Sequence, residues 1–300
     1  MEEKTIAPDE ILRATVFSSE AAVYLARTTQ LCDKARQTHH ASPLAAAVLG
    51  RTLTMTAIMA FSSFKNEDDR LTVTLNGNGL IGKVVCCGMA PVDVKGYVED
   101  PNLDLPLNEK GKLDVGWAVG NSGTLTVIKD LGLKEPYVGR SALQTGEIAE
   151  DFAFYYTVSE QTPSLVALGV HVHPDLHVDG AGGILIQLLP GCSDETITRL
   201  EQVGEKLSSI STMMMEYDTL DGIMQTLFDE DFKILQRDTP RFRCDCSRER
   251  IDRALIAMGY EELKKMRDED NGADLWCNFC NTTYHYSGEQ LDNLLETMRG

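Results

Sequence analysis

Four cysteines near the end of the 300-residue sequence form two close pairs. The first pair is Cys244-Asp-Cys246, and the second, after 30 intervening residues, is Cys277-Asn-Phe-Cys280. A structural zinc ion takes four thiolate ligands in a tetrahedron, and two close pairs brought together by the fold between them meet that geometry. The spacing therefore predicts one zinc ion, bound by Cys244, Cys246, Cys277 and Cys280 when the thiols are reduced.

The first pair is unusually tight, because a single residue separates its cysteines where two to four are common. Cysteines this close can form local disulfides once a metal has left, although a bridge across one residue is strained and therefore labile. Oxidising the four thiolates would also remove the metal ligands. The pairs thus predict an oxidation switch as well as a metal site.

The segment between the pairs predicts a small helical module. Ser247 can cap a helix with Gly259 just past its end, and a second short helical stretch follows. A module of about 55 residues with so few apolar side chains often needs a metal in order to fold, so loss of the ion is expected to unfold it. These apolar residues are Ile251, Ala254, Leu255 and Met258 in the first helix, then Tyr260, Leu263 and Met266.

Alternating and helical patterns before the module predict a main domain of α+β class, with a mostly antiparallel sheet packed against helices. The sequence from Ser18 to about Lys65 reads as mostly helical, with a break near Ser42-Pro43. A hairpin is expected from Leu71 to Cys86, because Asn76-Gly-Asn-Gly79 supplies turn residues between two apolar segments. Other strands are expected around Ile11 to Val16, Val92 to Val98, Gly123 to Lys129, Pro136 to Ser141, Ser164 to His173 and Gly183 to Leu189, with a helix from Gly146 to Tyr156.

Two amphipathic helices are expected after Pro190-Gly191, which closes the main domain. Ser193 is a suitable cap for the first helix, and Asp194 and Glu195 complement the dipole of its opening turn. The sequence thus predicts a core domain at 1–191, a helical linker at 192–240 and the zinc module at 241–300. The apolar stripes of the linker are Ile197, Leu200, Val203, Leu207, Ile210 and Met213, then Leu220, Ile223, Met224, Leu227 and Phe228.

Composition limits the partners and the compartment. The formal net charge of −18 gives no electrostatic footprint for a phosphate backbone or an anionic membrane. The N-terminus has no basic stretch followed by an apolar one, and no run of about 18 apolar residues suggests a membrane helix. We therefore expect a cytoplasmic protein, in which the eight cysteines are metal ligands, redox groups or buried thiols rather than static disulfides.

Motifs in two separate regions resemble those of the redox-regulated heat-shock protein 33 family, also called 33 kDa chaperonins. The resemblance spans nearly the whole chain. In the module it rests on Cys244-Asp-Cys-Ser-Arg-Glu-Arg250, Tyr260-Glu-Glu-Leu263, and Cys277-Asn-Phe-Cys280 followed by Tyr284. In the main domain it rests on Gly146-Glu-Ile-Ala-Glu-Asp151, Ser159-Glu-Gln-Thr-Pro-Ser164 and Ala181-Gly-Gly-Ile-Leu-Ile-Gln-Leu-Leu-Pro190.

This resemblance implies an ATP-independent holdase, not an enzyme, that is inactive while reduced and zinc-bound. Oxidant is then expected to form Cys244–Cys246 and Cys277–Cys280 disulfides, release zinc, unfold the module and linker, and expose a surface for unfolded client proteins. A homodimer is expected to accompany this oxidative stress response. The sequence has no G-x-x-x-x-G-K-[ST] loop for a nucleotide, which agrees with a chaperone that does not use ATP.

Two other functional classes deserve comparison with the cysteine pattern. A zinc-ribbon nucleic-acid-binding protein would have the same spacing, but the acidic balance argues against it. A zinc hydrolase would need an open coordination position, and four thiolates leave none. The methionines of the linker, Met213, Met214, Met215 and Met224, suit either an adaptable client-binding surface or an ordinary core.

Other polar residues have weaker signals. His171 and His173 would share a strand face with His177 nearby, which suggests a second metal site, but the motifs of the resembling family do not include these histidines. Glu147 and Asp151 are interpreted as a solvated helix face rather than an acid–base pair. His285 is not needed as a ligand beside four thiolates. Cys32, Cys86, Cys87 and Cys192 lack ligand spacing and are expected to be buried or incidental thiols.

Overall fold

The computed structural model describes residues 6–298, with Ser208 described by its backbone alone. The chain divides into two compact units, with the boundary between Arg243 and Cys244. The first unit contains β1 (Glu10–Val16), β2 (Ala21–Arg27), α1 (Thr29–His39), α2 (Pro43–Ser63), β3 (Arg70–Asn76), β4 (Val84–Met89), β5 (Asp93–Val98), α3 (Val115–Val119), β6 (Thr124–Asp130), β7 (Tyr137–Ala142), α4 (Ala149–Val158), β8 (Ser164–Val172), β9 (Val178–Leu188), α5 (Asp194–Lys206), a 3-10 turn (Leu207–Ser209), α6 (Ile210–Glu216), α7 (Leu220–Phe228), β10 (Phe232–Asp238) and β11 (Arg241–Phe242).

Within the described residues, two sheets form the frame of the first unit. One has the strand order β10-β1-β2-β9-β8 and is antiparallel throughout. The other has the order β11-β5-β4-β3-β6-β7 and is antiparallel except where β11 joins β5. The predicted α+β class with mostly antiparallel strands is therefore confirmed.

Helix α2 is the core helix between these sheets, and it is buried on all sides. Ser42 caps it, accepting a hydrogen bond from the amide of Ala45 at 3.1 Å, and Pro43 fits the first helical turn. The helix is long and apolar enough to cross a membrane by length and mean composition, although Arg51 and several threonines interrupt it, so it is not the continuous apolar run that the sequence analysis looked for. A helix that is apolar all round is also what the centre of a folded protein requires, and here 94% of its apolar window is buried.

The opposite face of the β10-β1-β2-β9-β8 sheet is covered by α5, α6 and α7, which bury a second apolar cluster. Glycines allow this close packing, because a Cβ at Gly180 would lie 2.5 Å from Met215 and one at Gly182 would lie 2.7 Å from Met214, both on α6. The glycines of the Gly180–Gly183 stretch therefore serve close contacts.

Several elements differ from the sequence prediction. Strand β2 lies in a stretch predicted as helical, while α1 and α2 confirm the rest of that stretch and its break near Ser42. Residues 232–238 form strand β10 at the edge of its sheet, where no strand was expected. The segment predicted as a linker is part of the first unit in this structure.

The second unit contains α8 (Arg248–Met258), α9 (Tyr260–Asp270), β12 (Gly272–Trp276), β13 (Thr283–Ser287) and α10 (Gly288–Thr297). The predicted cap is confirmed, since the Ser247 hydroxyl accepts a hydrogen bond from the amide of Arg250 and Gly259 follows the end of α8. Strands β12 and β13 form an antiparallel hairpin. A small apolar cluster joins the three helices to this hairpin, and its buried members are Leu255, Leu263, Tyr286, Leu291 and Leu295.

Candidate metal centre

The four cysteine sulfurs of the second unit lie together, all within 4.8 Å of one another. The Sγ atoms of Cys244 and Cys277 are 3.7 Å apart, and those of Cys246 and Cys280 are 3.3 Å apart. A disulfide would need about 2 Å, so these are four separate thiols. Four sulfurs bound to one zinc ion at about 2.3 Å stand about 3.8 Å apart, which matches the observed cluster.

The second pair lies in the turn of the β12–β13 hairpin. The Cys277 amide donates to the carbonyl of Thr282 at 2.9 Å, which closes the ladder at the base of the turn. Inside the turn, the amides of Cys280 and Asn281 both donate to the carbonyl of Cys277, at 3.2 and 2.8 Å. Asn281 takes the left-handed conformation (φ 56°) that asparagine tolerates well, so the chain can reverse just after the second cysteine. The hairpin therefore fixes the two sulfurs on one side of a tight turn.

The first pair lies on the extended segment that leads into α8. Arg250 on the first turn of α8 forms a 2.5 Å ion pair with Asp245, the residue between the two cysteines. This contact holds the Cys244-Asp-Cys246 segment against its own helix. The position of the Cys244–Cys246 pair is thus set by α8, which Ser247 caps and whose Arg250 binds Asp245.

Two hydroxyl groups contact sulfurs of the cluster. The Tyr284 hydroxyl donates to the Cys246 sulfur at 3.1 Å, and the Thr282 Oγ1 lies 3.2 Å from the Cys280 sulfur. Burial raises the pKa of Cys280, but the side-chain and backbone hydrogen bonds of Thr282 outweigh it, so the pKa falls to about 7. Burial raises the pKa of Cys277. A thiolate is the form that binds metal and reacts with oxidants, so at least Cys280 is prepared for both.

The donor set decides which metal fits. Four thiolates in a compact cluster suit a soft or borderline ion, and their hydroxyl partners resemble the outer contacts that orient metal ligands in proteins. His285 lies outside the cluster, because its Nδ1 pairs with Asp274 across the hairpin at 2.6 Å and its side chain is 74% exposed. The residues present fit a closed four-sulfur site that leaves no position for a substrate.

Polar contacts tie the rest of the module together. The Arg248 guanidinium lies 4.2 Å above the ring of Tyr286 and donates to the carbonyl of His285 and the side chain of Gln290. The Tyr286 hydroxyl donates to Asp252 on α8 at 2.5 Å. Arg248 and Tyr286 thus connect the helix after the first cysteine pair to the hairpin that carries the second.

The remaining cysteines stand apart from this cluster. Burial raises the pKa of the Cys32 thiol to about 12 and also raises that of Cys86, so both are unreactive thiols in the core. The adjacent Cys87 is half-buried and faces the other side of β4, as expected for neighbours in a strand. Cys192 is also half-buried.

Asp151 differs from its predicted role on a solvated helix face. Its carboxylate is fully buried and accepts hydrogen bonds from the backbone amides of Gln144, Thr145 and Ile148 at 2.6, 3.1 and 2.9 Å. It therefore organises the turn that starts α4, a requirement that sequence spacing alone did not reveal. Glu147 forms an ion pair with Arg51 at 2.8 Å.

The helices predicted as a linker are held to the sheet by polar contacts as well as by apolar packing. Buried Arg27 on β2 donates to the carbonyls of Tyr217 and Asp218, which lie between α6 and α7. At the start of α5, the Glu20 carboxylate accepts hydrogen bonds from the amide and hydroxyl of Ser193. Sequence reasoning missed both anchors, because each lies far from its partner along the chain.

The linker methionines are mainly core residues here. Met214 and Met224 are buried in the apolar cluster between α5–α7 and the sheet, and Met213 packs against it. This favours the ordinary-core interpretation for the folded state.

The three histidines near the end of β8 are separated in the structure. His171 pairs with Asp179 at 2.5 Å. His173 and His177 instead lie beside Asp175, which the sequence analysis had not included.

Comparisons with known proteins agree with the fold. A family model described as Hsp33 protein matches residues 9–287. A 33 kDa chaperonin of Clostridium beijerinckii is 42% identical over 292 residues, covering 97% of this chain and 99% of the relative. One from Clostridium perfringens is 44% identical over 290 residues, covering 96% and 91%. The crystal structure of a 33 kDa chaperonin from Thermotoga maritima, a heat shock protein 33 homolog, matches with a TM-score of 0.88 at 37% identity, covering 96% and 98%.

Proposed function

The chain belongs to the Hsp33 family, and from that premise we propose that it is an ATP-independent holdase switched on by oxidation of its four clustered cysteines. Members of this family are chaperones and not enzymes. The finer proposal is that the reduced protein holds one zinc ion through Cys244, Cys246, Cys277 and Cys280 and is inactive. The observation that carries it is the gathering of four sulfurs within 4.8 Å in a unit with a very small apolar core.

Zinc bound at this site supplies the cross-link that a small core cannot, and its binding free energy becomes folding free energy. The residues around the sulfurs position them and bind them by hydrogen bonds. The Tyr284 hydroxyl donates to the Cys246 sulfur, the hydrogen bonds of Thr282 lower the pKa of Cys280, and Arg250 holds the first pair beside α8. The site is closed, which agrees with a structural role for the ion.

Oxidation converts each cysteine pair to a disulfide. Two thiolates give up two electrons to a peroxide, which takes two protons from solvent and becomes two water molecules while one S–S bond forms. We propose the bridges Cys244–Cys246 and Cys277–Cys280. The contacts Cys244–Cys277 and Cys246–Cys280, at 3.7 and 3.3 Å, join the two pairs to each other, but disulfides at these positions would keep the module closed. Bridges within the pairs separate the two segments and release the module.

Release of the module is proposed to free residues 192–240 as well. Their apolar face contributes Leu200, Val203, Ile223 and Phe228 to a buried cluster, and these side chains become available to unfolded clients when α5–α7 leave the sheet. The core domain at 1–191 keeps its own cluster around α2. This division gives three functional segments: a stable core, a releasable cover and a redox-sensitive module at 241–300.

The proposed setting follows from the same chemistry. A switch made of free thiols needs a reducing compartment at rest, so we place the protein in the cytoplasm. A homodimer is proposed for the oxidised state. The charge of −18 gives no support for nucleic-acid or membrane binding.

An aggregation assay with a thermally unfolding client tests the proposal. Reduced zinc-loaded protein is compared with peroxide-treated protein while zinc release and free thiols are followed. We expect protection of the client only after oxidation, together with loss of the ion and of four thiols. The variant Cys192→Ser is the matched control, because it removes a half-buried thiol outside the cluster and should switch normally. Equal protection by the reduced and oxidised proteins would contradict the switch.

A further inference from the structure

The loop between β8 and β9 places two imidazoles opposite each other. The connection is His173-Pro-Asp-Leu-His177, and the His173 amide donates to the carbonyl of His177 at 2.8 Å. The Leu176 amide donates back to the carbonyl of His173 at 2.8 Å, with Pro174 in the position that prolines favour in such turns. Leu176 then takes a left-handed conformation (φ 78°) that completes a three-residue hairpin loop. The flanking histidines are therefore positioned by the backbone.

The side chains converge on one carboxylate. The rings of His173 and His177 are stacked, with centroids 4.7 Å apart and an angle of 28° between their planes. The Nδ1 of His173 lies 3.0 Å from Oδ1 of Asp175, and the Nδ1 of His177 contacts the same oxygen. These three donor atoms all lie within 4.8 Å of one another.

His171 does not join this group, although it lies two residues before His173. A shift in the strand register between His171 and Val172 interrupts the alternation of side chains along β8. His171 pairs with Asp179 instead. His171 is therefore a matched control, because it is a nearby histidine that has a different partner.

We propose that His173, Asp175 and His177 form a second metal site for a borderline divalent cation such as Zn²⁺. Two imidazole nitrogens and one carboxylate oxygen are ligands that zinc accepts, whereas Mg²⁺ and Ca²⁺ prefer oxygen donors alone. With neutral imidazoles the group has a charge of about −1, which attracts a cation. The donors are exposed to solvent, so water completes the coordination.

This site differs chemically from the cysteine cluster, because none of its ligands is a thiolate. Peroxide that oxidises the four cysteines therefore leaves the ligands of the hairpin site unchanged. The hairpin lies within the first unit and shares no residue with the cysteine cluster. The proposal therefore does not depend on the redox switch.

Calorimetric titration of the reduced full-length protein with Zn²⁺ tests the site. Protein that already carries one equivalent of zinc is used, with metal content and free thiols measured beforehand. We expect one further equivalent to bind saturably. The double variant His173→Ala/His177→Ala should lose this second equivalent while it keeps the first, and His171→Ala should retain both.

A third variant separates ligation from hydrogen bonding. Asp175→Asn keeps the shape of the side chain but removes its charge. Loss of even an outer contact of a metal site costs about 10- to 100-fold in affinity, so we expect Zn²⁺ binding at the hairpin to weaken by at least about tenfold. Far-UV circular dichroism checks that each variant is folded, which is expected because the substituted side chains are exposed.

Three results would overturn the proposal. One is the absence of a second saturable equivalent in the parent protein up to millimolar Zn²⁺. Another is a second equivalent that the double variant binds as well as the parent does. The third is equal loss of binding in His171→Ala, which would show nonspecific binding by surface histidines.

Discussion

The two units of this chain differ in what holds each of them together. The first unit buries two large apolar clusters, one around α2 and the other under α5–α7. Among its described residues, 244–298, the second unit buries five apolar side chains and gathers four cysteine sulfurs. Apolar burial contributes about 25 cal/mol per Å², so a core this small cannot offset the chain entropy of a whole module. This difference is the basis of our proposal that a chemical change at the sulfurs unfolds the second unit and leaves the first unit folded.

Ion pairs do not supply the stability that the small apolar core of the second unit lacks. Its clearest pair joins Arg267 to Asp292, with distances of 2.7 and 2.9 Å, but both side chains are more than 40% exposed. Exposed pairs of this kind contribute little to stability. The first unit, in contrast, buries charged groups such as Arg27 and Asp151 with their hydrogen-bond partners. The polar contacts of the second unit therefore fix its geometry but contribute little to its stability.

Loss of the second cysteine pair should have the largest effect. In Cys277→Ser/Cys280→Ser we expect zinc to be lost and residues 244–298 to unfold, because structural zinc contributes about 10–16 kcal/mol in zinc-finger peptides at neutral pH. Zinc content and amide exchange of the second unit measure this. Cys192→Ser is the control and should retain both zinc and protection. If the second unit stayed folded in the double serine variant, the conclusion that this unit depends on a bound metal would be wrong.

A core substitution in the first unit should give the opposite pattern. Phe228 on α7 is 1% exposed and meets Phe17 edge to face, with ring centroids 5.6 Å apart. Phe228→Ala should destabilise the first unit by about 3–5 kcal/mol and should leave zinc binding unchanged. Denaturant unfolding followed with a zinc assay measures both quantities. The substitution should also loosen α5–α7, so some client protection is expected before oxidation.

The stability of the first unit should also depend on pH, through the buried carboxyl group of Asp9. Burial raises the pKa of Asp9 to about 6, against the opposing effect of the Leu31 and Gln30 amides that donate to its carboxylate. The folded state therefore favours the protonated acid. Its contribution to stability is fully present below the unfolded pKa of 3.8 and is lost as pH rises through about 6. The shift of about two units corresponds to ~3 kcal/mol at most.

Asp9→Asn provides the test, since the amide is neutral at every pH in this range. Denaturation midpoints between pH 4 and pH 7 should fall with rising pH in the parent protein. The variant should show a flatter profile. Identical slopes in the two proteins would mean that Asp9 is not the group responsible.

The smallest effect is expected for the exposed ion pair of the second unit. Arg267→Ala removes the pair with Asp292, yet zinc affinity and amide exchange around the cysteines should remain close to those of the parent protein. A competition assay with a metal chelator measures the affinity. Substantial loss of zinc binding would show that surface pairs, and not the ligands, dominate the stability of the module.

The sequence predicted the clustering of the four cysteines, because the close spacing within each pair can be recognised whatever the structure between the pairs. It also predicted the Ser247 cap and Gly259 at the end of α8. Strand β2 was missed because all seven of its residues are buried, so it shows no alternation, and its alanines and leucine resemble a helix. Non-local pairing overrode the local preference there.

The hairpin histidines show a second limit of sequence reasoning. Strict alternation grouped His171 with His173, but an irregularity in the strand register separates them. Asp175 was missed because its proximity to His173 and His177 depends on the turn geometry and not on strand periodicity. The buried role of Asp151 was missed in the same way, since its partners are backbone amides of the preceding turn.

Amide hydrogen exchange of one protein in two redox states tests the central claim most directly. The reduced zinc-loaded protein and the peroxide-treated protein are compared segment by segment, with zinc content measured on the same samples. We predict that residues 244–298 lose protection on oxidation while α2 and the strands around it keep theirs. If the second unit stays as protected after zinc release as before it, the account of a metal-dependent, redox-sensitive module is contradicted.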